Sequence, residues 1–349
     1  MMWLTWRQFR AQAIVAAAVL AVVAIALAVT GPHLADLYAS SGLATCQAHG
    51  NCDTLITAFM DQVKASTPDG LLFGFCIGLL LAAPGLIGVF WGAPLVTREV
   101  EAGTFRLAWN QSVTRARWLA VKLGLIGLAS MAATGLLSVM VSWWASPLDR
   151  VTGLPAGRDG TPSLDRFAPV LFASRGITPI AYAAFAFALG VTVGVLIRRT
   201  VPAMAITLAV FAAIQIATPL WIRPHYIPPS HAVTALNPAT IDFMNTSGNG
   251  RFIKVGAAVN LPGAWVLGQQ MLTPGGHVFT GPAPAACMSN SAPFSECQAA
   301  LGRLDLRQLV TYQPASRYWA FQWYETAIFL ILAGALCGCC AWVIRRRAP

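Results

Sequence analysis

The chain has 349 residues, of which 56% are hydrophobic and 10% are charged. A soluble globular domain carries about a quarter charged residues, so this composition excludes an ordinary soluble protein. The mean hydropathy of +0.62 predicts a membrane protein. A formal net charge of +10 would suggest nucleic-acid binding in a soluble protein. Here we attribute it to arginines at the cytoplasmic ends of spanning helices and expect no nucleic-acid partner.

Six uncharged stretches reach or approach the roughly 20 residues needed to cross a hydrocarbon core. Because every backbone polar group in that core must be bonded internally, we expect each stretch to be a helix. The six stretches are 11–30, 70–97, 123–148, 176–197, 200–222 and 326–344.

A separate interfacial helix is predicted before the first span. The sequence MMWLTWRQFR places three aromatic side chains near one helical face and Arg7 and Arg10 toward another, which is typical of a helix lying on the inner leaflet. A cleaved signal peptide is the competing interpretation, because small-residue sites lie near Ala28. The apolar run is longer than a typical signal segment, which favours an uncleaved span.

The distribution of lysine and arginine predicts the orientation. With the N-terminus inside, the inner segments carry twelve Lys and Arg residues and two acids, and they are 1–10, 98–122, 198–199 and 345–349. The outer connections carry the other eleven Lys and Arg and eleven acids over about four times as many residues. The positive-inside rule therefore predicts a multi-pass protein of the cell membrane with both termini in the cytoplasm.

Two close cysteine pairs lie in polar connections, Cys46 with Cys52 and Cys287 with Cys297. The orientation places both pairs outside, so the spacing predicts two disulfides in an oxidising compartment. A metal site is the alternative for the first pair, because His49 lies between its cysteines. No second histidine is near in sequence, and we expect neither a metal nor a cofactor in this chain.

Polar and small residues within the spans predict helix contacts. No ionisable residue lies inside a predicted span, which argues against a proton relay. Hydroxyl groups recur every four residues in the third span, at Ser130, Thr134, Ser138 and Ser142, and form one stripe along the helix. This stripe could line a substrate path or pack helices. Two polar residues of the fifth span, Gln215 and Thr218, are further candidates for lining the path. Glycine pairs spaced by four predict close packing, within one chain or between two; they are Gly74 and Gly78, Gly88 and Gly92, Gly190 and Gly194, and Gly334 and Gly338.

The chain shows no energy source of its own. It has no G-x-x-x-x-G-K-[ST] phosphate loop, since none of Lys64, Lys122 and Lys254 follows such a glycine pattern. It also lacks the nucleophile-elbow and zinc-protease motifs. We therefore expect a protein that is not itself an enzyme.

The connection from Thr97 to Lys122, TREVEAGTFRLAWNQSVTRARWLAVK, holds the two inner acids. A helix over residues 95–107 would place Arg98 and Glu101 on one face, with Gly103 loosening or breaking it. Its mixed-charge side suggests a protein partner, because a purely lipid-binding helix would carry only basic residues there. A solvated loop with local ion pairs is the alternative.

The pattern R-E-x-E-x-G-T, followed by S-V-T-R and a lysine after the second of six spans, resembles permease subunits of ABC transporters of the ABC-2 (type V exporter) class. The matching residues are Arg98, Glu99, Glu101, Gly103, Thr104, Arg115 and Lys122. The segments MMWLTWRQFRAQ and VTYQPASRYWAFQWYETAIF look like an actinobacterial subgroup of these permeases. Many members have a proline where Ser112 stands.

The resemblance implies a complex of two copies of this chain with two ABC ATPase subunits, which would bind the ATP and magnesium. The helix after the second span would be the coupling helix, with the ATPase-coupling residues Arg98, Glu99, Glu101, Gly103, Thr104 and Arg115. A pathway between the two permeases would export a hydrophobic or amphipathic compound. The rivals are a secondary transporter, which the lack of ionisable span residues disfavours, and a membrane-anchored receptor or sensor using residues 223–325.

The predicted fold is an all-α polytopic membrane protein with six transmembrane helices, an interfacial N-terminal helix and a coupling helix. Residues 1–222 would hold spans 1 to 5, and residues 326–349 would hold span 6 and a basic cytoplasmic tail. Residues 223–325 are numerous enough for a small extracellular domain. In it, a short amphipathic helix is predicted after Ser295, with an apolar side formed by Leu301, Leu304, Leu309 and Val310.

Overall fold

The computed structural model describes residues 2–46, 52–101, 115–151, 166–238, 241–247, 252–257, 259, 261, 263–282, 284–288 and 293–347. In this part of the chain, six helices are long and apolar enough to cross a membrane, which confirms the six predicted spans. Spans 1 to 6 are Phe9–Ser40, Asp69–Glu99, Arg117–Trp144, Thr178–Ile197, Thr200–His225 and Ala315–Arg346.

The α-helices in chain order are α1 (Met2–Ser40), α2 (Leu43–Cys46), α3 (Asp53–Ala65), α4 (Thr67–Ile87), α5 (Pro94–Glu101), α6 (Arg115–Trp144), α7 (Ser146–Val151), α8 (Pro169–Ala173), α9 (Thr178–Ile197), α10 (Thr200–Ala217), α11 (Ala285–Met288), α12 (Phe294–Gly302) and α13 (Tyr318–Arg347). Two π-helical turns interrupt the spans, Gly88–Gly92 in span 2 and Thr218–Ile222 in span 5.

The N-terminal helix is continuous with span 1, so the prediction of a separate interfacial helix is wrong. α1 has 39 residues and is about 58 Å long at 1.5 Å per residue, well beyond a hydrocarbon core of about 30 Å. No glycine or proline precedes Gly31 to break it. The helix also passes through Pro32 and ends at Ser40, so it extends into the connection predicted to begin at residue 31.

Span 4 is the central helix of the bundle. In its most apolar 18-residue window, 78% of the residues are buried, compared with 11% for span 1. It packs against spans 2, 3, 5 and 6. Alanine and glycine occupy many of its positions, and these small residues let neighbouring helices approach closely.

Two of the predicted glycine pairs pack directly against each other. A Cβ atom at Gly190 of span 4 would lie 2.2 Å from the carbonyl oxygen of Gly88 in span 2, and one at Gly194 would lie 2.7 Å from that of Ala93. A Cβ atom at Gly92 would lie 2.6 Å from the carbonyl oxygen of Phe187. These distances leave no room for a side chain, so the two backbones are in contact over the π-turn of span 2.

The other two glycine pairs make no such contact. Added Cβ atoms at Gly74, Gly78, Gly334 and Gly338 would meet no described atom within 4 Å. These four glycines are exposed on the surface of the bundle.

Residues 223–325 contain strands, so the all-α prediction is wrong for this segment. The central strand of a three-stranded antiparallel sheet is β5 (Arg307–Gln313), with β1 (Ser230–Ala235) and β4 (Trp265–Leu272) on either side. Strands β2 (Ile241–Ser247) and β3 (Phe252–Ala257) form a second antiparallel pair.

The helix predicted after Ser295 is shorter than expected. α12 begins at Phe294 and ends at Gly302, and Asp305 then adopts a left-handed backbone with φ of 48°. Leu309 and Val310, which were expected in this helix, lie instead in β5, where the buried Val310 is part of the sheet.

We expect Gly190→Ala to destabilise the bundle, because its Cβ atom would overlap the Gly88 carbonyl oxygen. Overpacking of this kind costs about 1–3 kcal/mol. The unfolding temperature of the purified protein in detergent should fall. Gly338→Ala is the matched control: its Cβ atom meets no described atom, and alanine favours a helix over glycine by about 0.5–1 kcal/mol. Equal unfolding temperatures for the two variants would contradict the close packing of spans 2 and 4.

Candidate functional site

Helix α5 carries the described part of the predicted coupling segment. It extends span 2 beyond the π-turn, and its described part ends at Glu101, whereas a helix over 95–107 was predicted. Gly103 and Thr104 lie outside the described residues. Arg115 is the first residue of α6, and only its backbone is described.

Glu99 joins α5 to the start of span 3. Its carboxylate forms an ion pair with the ammonium group of Lys122, and the two side chains are 14% and 3% exposed. The Lys122 ammonium also lies 4.6 Å from the centre of the Trp118 ring, a favourable position for a cation. Since a buried charge is costly without a partner, this pair holds α5 against span 3.

Glu101 joins α5 to the start of span 5. Its carboxylate accepts a hydrogen bond of 2.8 Å from the backbone N–H of Thr200 and one of 2.7 Å from the Thr200 hydroxyl. Thr200 is the first residue of α10, where backbone N–H groups lack helical partners and the helix dipole favours an anion. These hydrogen bonds lower the pKa of the Glu101 carboxyl.

The two acids therefore bind to different spans of their own chain. Residues two apart on an α-helix point about 200° apart, so Glu99 and Glu101 lie on opposite sides of α5. That the two acids contact an ATPase stays a prediction. Arg98, between them, is exposed.

The polar stripe of span 3 faces the protein interior. Ser130, Thr134 and Ser138 are each at most 1% exposed. The Ser130 and Thr134 hydroxyls donate to carbonyl oxygens of their own helix, and the Ser138 hydroxyl donates to the Gly176 carbonyl oxygen at 2.8 Å. This geometry favours helix packing over a substrate path. Ser142 is half-buried further along the helix.

The two polar residues predicted for span 5 lie on the same helix. The Thr218 hydroxyl donates to the Ile214 carbonyl oxygen at 2.8 Å. The side-chain oxygen of Gln215 is buried and has no hydrogen-bond partner among the described residues. That these residues line a pathway stays a prediction.

The structure places both cysteine pairs as predicted. The sulfur atoms of Cys46 and Cys52 are 2.09 Å apart, and those of Cys287 and Cys297 are 1.96 Å apart. The described residues contain no group of three or more His, Cys, Asp or Glu side chains suited to a metal. His49, which raised the alternative of a metal site, lies outside the described residues.

A buried cluster of charges that the sequence analysis missed joins spans 4, 5 and 6. The guanidinium of Arg223 donates to both carboxylate oxygens of Glu325, each at 2.9 Å, and the Tyr182 hydroxyl donates to the same carboxylate. Arg223 and Glu325 are 0% exposed. The Arg223 guanidinium also lies 3.9 Å from the centre of the Phe172 ring. The sequence analysis placed Arg223 and Glu325 at the two ends of the outer connection 223–325, outside the spans.

The reason for this difference is the length of the helices. α13 begins at Tyr318, before the uncharged stretch 326–344, so Glu325 lies within the helix. A second buried polar residue, Gln322, accepts hydrogen bonds from the backbone N–H groups of Ile177 and Thr178 at the start of span 4. The prediction that the spans contain no ionisable residue is therefore wrong.

Two further connections have a similar contact at their ends. Arg175 donates to Asp149 at 3.2 Å across the connection between spans 3 and 4. Burial raises the pKa of the Asp149 carboxyl, and the positive charge of Arg175 opposes that rise. His33 Nδ1 lies 3.0 Å from the buried Asp69 carboxylate across the connection between spans 1 and 2. The opposite charges of Asp149 and Arg175, and of Arg223 and Glu325, at the ends of their connections were the signal in the sequence that could have revealed these two ion pairs.

The Thr200 hydrogen bonds predict a pH-dependent contribution of Glu101 to stability. Since the folded-state pKa is lowered, this contribution is complete above the ordinary glutamate pKa of about 4.3 and is lost as the pH falls through the folded-state value. Thr200→Val removes one donor, so its unfolding temperature should be below that of wild type at neutral pH and approach it in acid. Thr200→Ser keeps the hydroxyl and serves as the control. The same Thr200→Val deficit at every pH would contradict this role.

Removal of one charge from the buried Arg223–Glu325 pair should lower the stability of the protein. We expect Glu325→Gln to lower stability by about 3–5 kcal/mol, because it leaves the Arg223 charge without a counter-charge. The double variant Arg223→Met with Glu325→Gln should recover part of the loss. Thermal unfolding in detergent measures both, with Glu296→Gln on the exposed face of α12 as the control. An unfolding temperature of Glu325→Gln equal to that of the control would refute the assignment.

Residues 17–223 match the family described as ABC-2 membrane transporter related. No curated protein and no solved structure matches the chain. The matched region is more than half of the 349 residues and runs from span 1 to Arg223, so it includes α5 and its contacts with spans 3 and 5. The chain therefore belongs to the ABC-2 membrane transporter related family and is a multi-pass membrane protein of the ABC-2 permease type.

Proposed function

We propose that this chain is the permease subunit of an ABC exporter of the type V class, driven by ATP hydrolysis in a separate ATPase subunit. The observation that carries the proposal is the position of α5 within a chain of the ABC-2 family. This helix extends span 2 and is joined to span 3 by Glu99 and to span 5 by Glu101. The proposed complex contains two copies of this chain and two ATPases, which bind ATP and magnesium.

In this mechanism α5 transmits motion of the ATPase to the spans. An ion pair between largely buried groups resists separation, because each charge would lose its partner in a poorly solvated site. A displacement of α5 therefore moves the start of span 3 through Lys122 and the start of span 5 through Thr200. The π-turn Gly88–Gly92 connects α5 to span 2, and such turns are frequent at functional positions in helices.

The acids then serve the internal connection, and other groups contact the ATPase. Arg98 is the exposed charge of α5, and Gly103, Thr104 and Arg115 are the further candidates that the resemblance supplies. This division of roles is supported by the contacts of Glu99 and Glu101, whose carboxylates are already bonded within the chain. In this proposal the ATPase binds residues that neighbour Glu99 and Glu101.

The proposed orientation puts α5 and both termini in the cytoplasm. Arg198, Arg199 and Arg345 are exposed and belong to the inner segments defined by the positive-inside rule. The disulfides Cys46–Cys52 and Cys287–Cys297 belong to outer connections in this orientation, which suits an oxidising exterior. The sheet of residues 223–325 is then extracellular.

The substrate pathway is proposed to lie between two copies of the chain. Within one copy, the polar stripe of span 3 is occupied by hydrogen bonds to backbone carbonyl oxygens. Gln215 of span 5 is half-buried and is the polar residue best suited to a pathway, because its side-chain oxygen has no hydrogen-bond partner among the described residues. An amphipathic compound fits a path with few polar groups.

A charge-swap experiment tests both the function and the internal connection. The tagged chain is purified with its ATPase, reconstituted in liposomes, and assayed for ATP hydrolysis and export. Glu99→Lys and Lys122→Glu should each reduce coupled hydrolysis roughly tenfold, within the usual range of coupling energies. The double variant restores the pair with reversed polarity and should recover most of the activity. Glu296→Lys, outside the bundle, is the control.

Two outcomes contradict different parts of the proposal. If no P-loop ATPase accompanies the chain and no ATP-dependent transport appears, the proposed function fails. If the double variant is as inactive as the single variants while the complex still assembles, Glu99 does not act through Lys122. The second result would instead favour direct contact of Glu99 and Glu101 with the ATPase.

A further inference from the structure

We infer that a cleft between the start of span 1, α5 and span 3 binds one anionic phospholipid from the surrounding leaflet. The cleft has a volume of about 220 Å³ and is partly open to its surroundings. It lies beside α5 and shares Arg98 with the docking surface of the proposed function, but its ligand comes from the membrane, and the test below uses the chain without its ATPase, so the two proposals can fail separately. Its walls, its charge and its orientation each favour a lipid over a soluble ligand.

Much of the cleft lining is apolar. Phe9 of span 1, Trp91 of the π-turn, Leu95 of α5 and Ile126 of span 3 line it. These side chains come from three different spans, so the cleft is a feature of the tertiary structure. A surface of this kind suits an acyl chain, since burial of apolar surface contributes about 25 cal/mol per Å².

The walls are held in position without a ligand. The Phe9 and Trp91 rings meet edge to face with their centres 4.8 Å apart. The side-chain amide of Gln12 donates to the Phe90 carbonyl oxygen at 2.9 Å, which joins span 1 to the π-turn. A cleft that is already formed binds its ligand at a lower entropic cost than one that must be assembled.

The uncompensated charge at the cleft is positive. Arg98 and Glu99 are its two charged lining residues. Lys122 pairs with Glu99 and neutralises it. Among the described residues, no ion pair involves the Arg98 guanidinium, and its side chain is exposed. An anionic oxygen is the complementary ligand, and a guanidinium is well suited to bind a phosphate.

The polar and apolar ends of the cleft are arranged as in a lipid. Arg98 lies seven residues after Trp91 along span 2 and α5, which corresponds to about 10 Å. Ile126 lies one helical turn further into span 3 than Lys122. The apolar wall therefore lies toward the middle of the spans and the cation toward their end, where lipid headgroups are found.

Exposed tryptophans place this region at the membrane surface. Trp3 and Trp6 of α1 are 69% and 54% exposed, and such rings gather at the boundary between lipid and water. Ile14 and Val15, further along α1, are 65% and 64% exposed and fit the hydrocarbon region. The cleft residues Phe9 and Gln12 lie between these two zones, at the depth of the headgroup and the first acyl carbons.

Lipid titration in native mass spectrometry tests the site on the purified full chain. After delipidation, the chain is titrated with phosphatidylglycerol and with phosphatidylcholine. Wild type should retain one phosphatidylglycerol with about fivefold higher affinity than phosphatidylcholine, the effect of one arginine near a headgroup. Arg98→Gln should abolish this preference. Arg345→Gln removes an exposed arginine outside the cleft and should keep it.

A second variant tests the apolar wall. Leu95→Trp fills the cleft and should weaken binding of both lipids while Arg98 is retained. Equal phosphatidylglycerol binding by wild type and Arg98→Gln would overturn the inference, as would equal losses in Arg98→Gln and Arg345→Gln. Competition by glycerol 3-phosphate as strong as that by the lipid would also overturn it, because the acyl chains would then contribute nothing.

Discussion

The structure depends on the pairing of charges at the ends of its spans. A charged side chain near a hydrocarbon core is costly unless a partner of opposite charge lies beside it. Glu99 with Lys122, Asp149 with Arg175, and Arg223 with Glu325 meet this requirement. Each pair brings together the two ends of one connection, so it also fixes which span ends lie side by side.

The contact between spans 2 and 4 has a different physical basis. It contains no charge, and the backbones approach closely because Gly88, Gly92, Gly190 and Gly194 have no side chains. Without a hydrophobic driving force in lipid, such close packing is a main source of helix association. Span 4 is central as a result, and the π-turn of span 2 lies at the contact. α5 follows directly, so its position depends on this packing.

Together these contacts make α5 a junction of three spans. Glu99 and Glu101 are two residues apart and point to opposite sides of the helix. One carboxylate neutralises a buried lysine, and the other accepts hydrogen bonds at the start of span 5. The same pairing leaves Arg98 as the charge at the lipid-facing cleft. One short helix thus supports both the proposed coupling and the proposed lipid site.

The membrane class, the six spans and the two disulfides could be predicted from the sequence. These features are local: a span needs about 20 apolar residues, and each cysteine pair is close along the chain. It also indicated the charged segment after span 2, because charge between two apolar runs stands out. Its resemblance to ABC-2 permeases agreed with the family match over residues 17–223.

Contacts between residues far apart in the chain could be identified only in the folded structure. Arg223 and Glu325 are 102 residues apart, and hydropathy placed both in a loop, because a scan for uncharged runs ends a span at its first charge. The sheet was missed because the spacing of Leu309 and Val310 after Leu301 and Leu304 also fits the apolar side of a helix. The pairing of β5 with β1 and β4 shows that they lie in a strand. Likewise, four glycine pairs share one spacing, but two pack together and two remain on the surface. A four-residue spacing of glycines permits a close helix contact, and the arrangement of the other helices determines whether that contact forms.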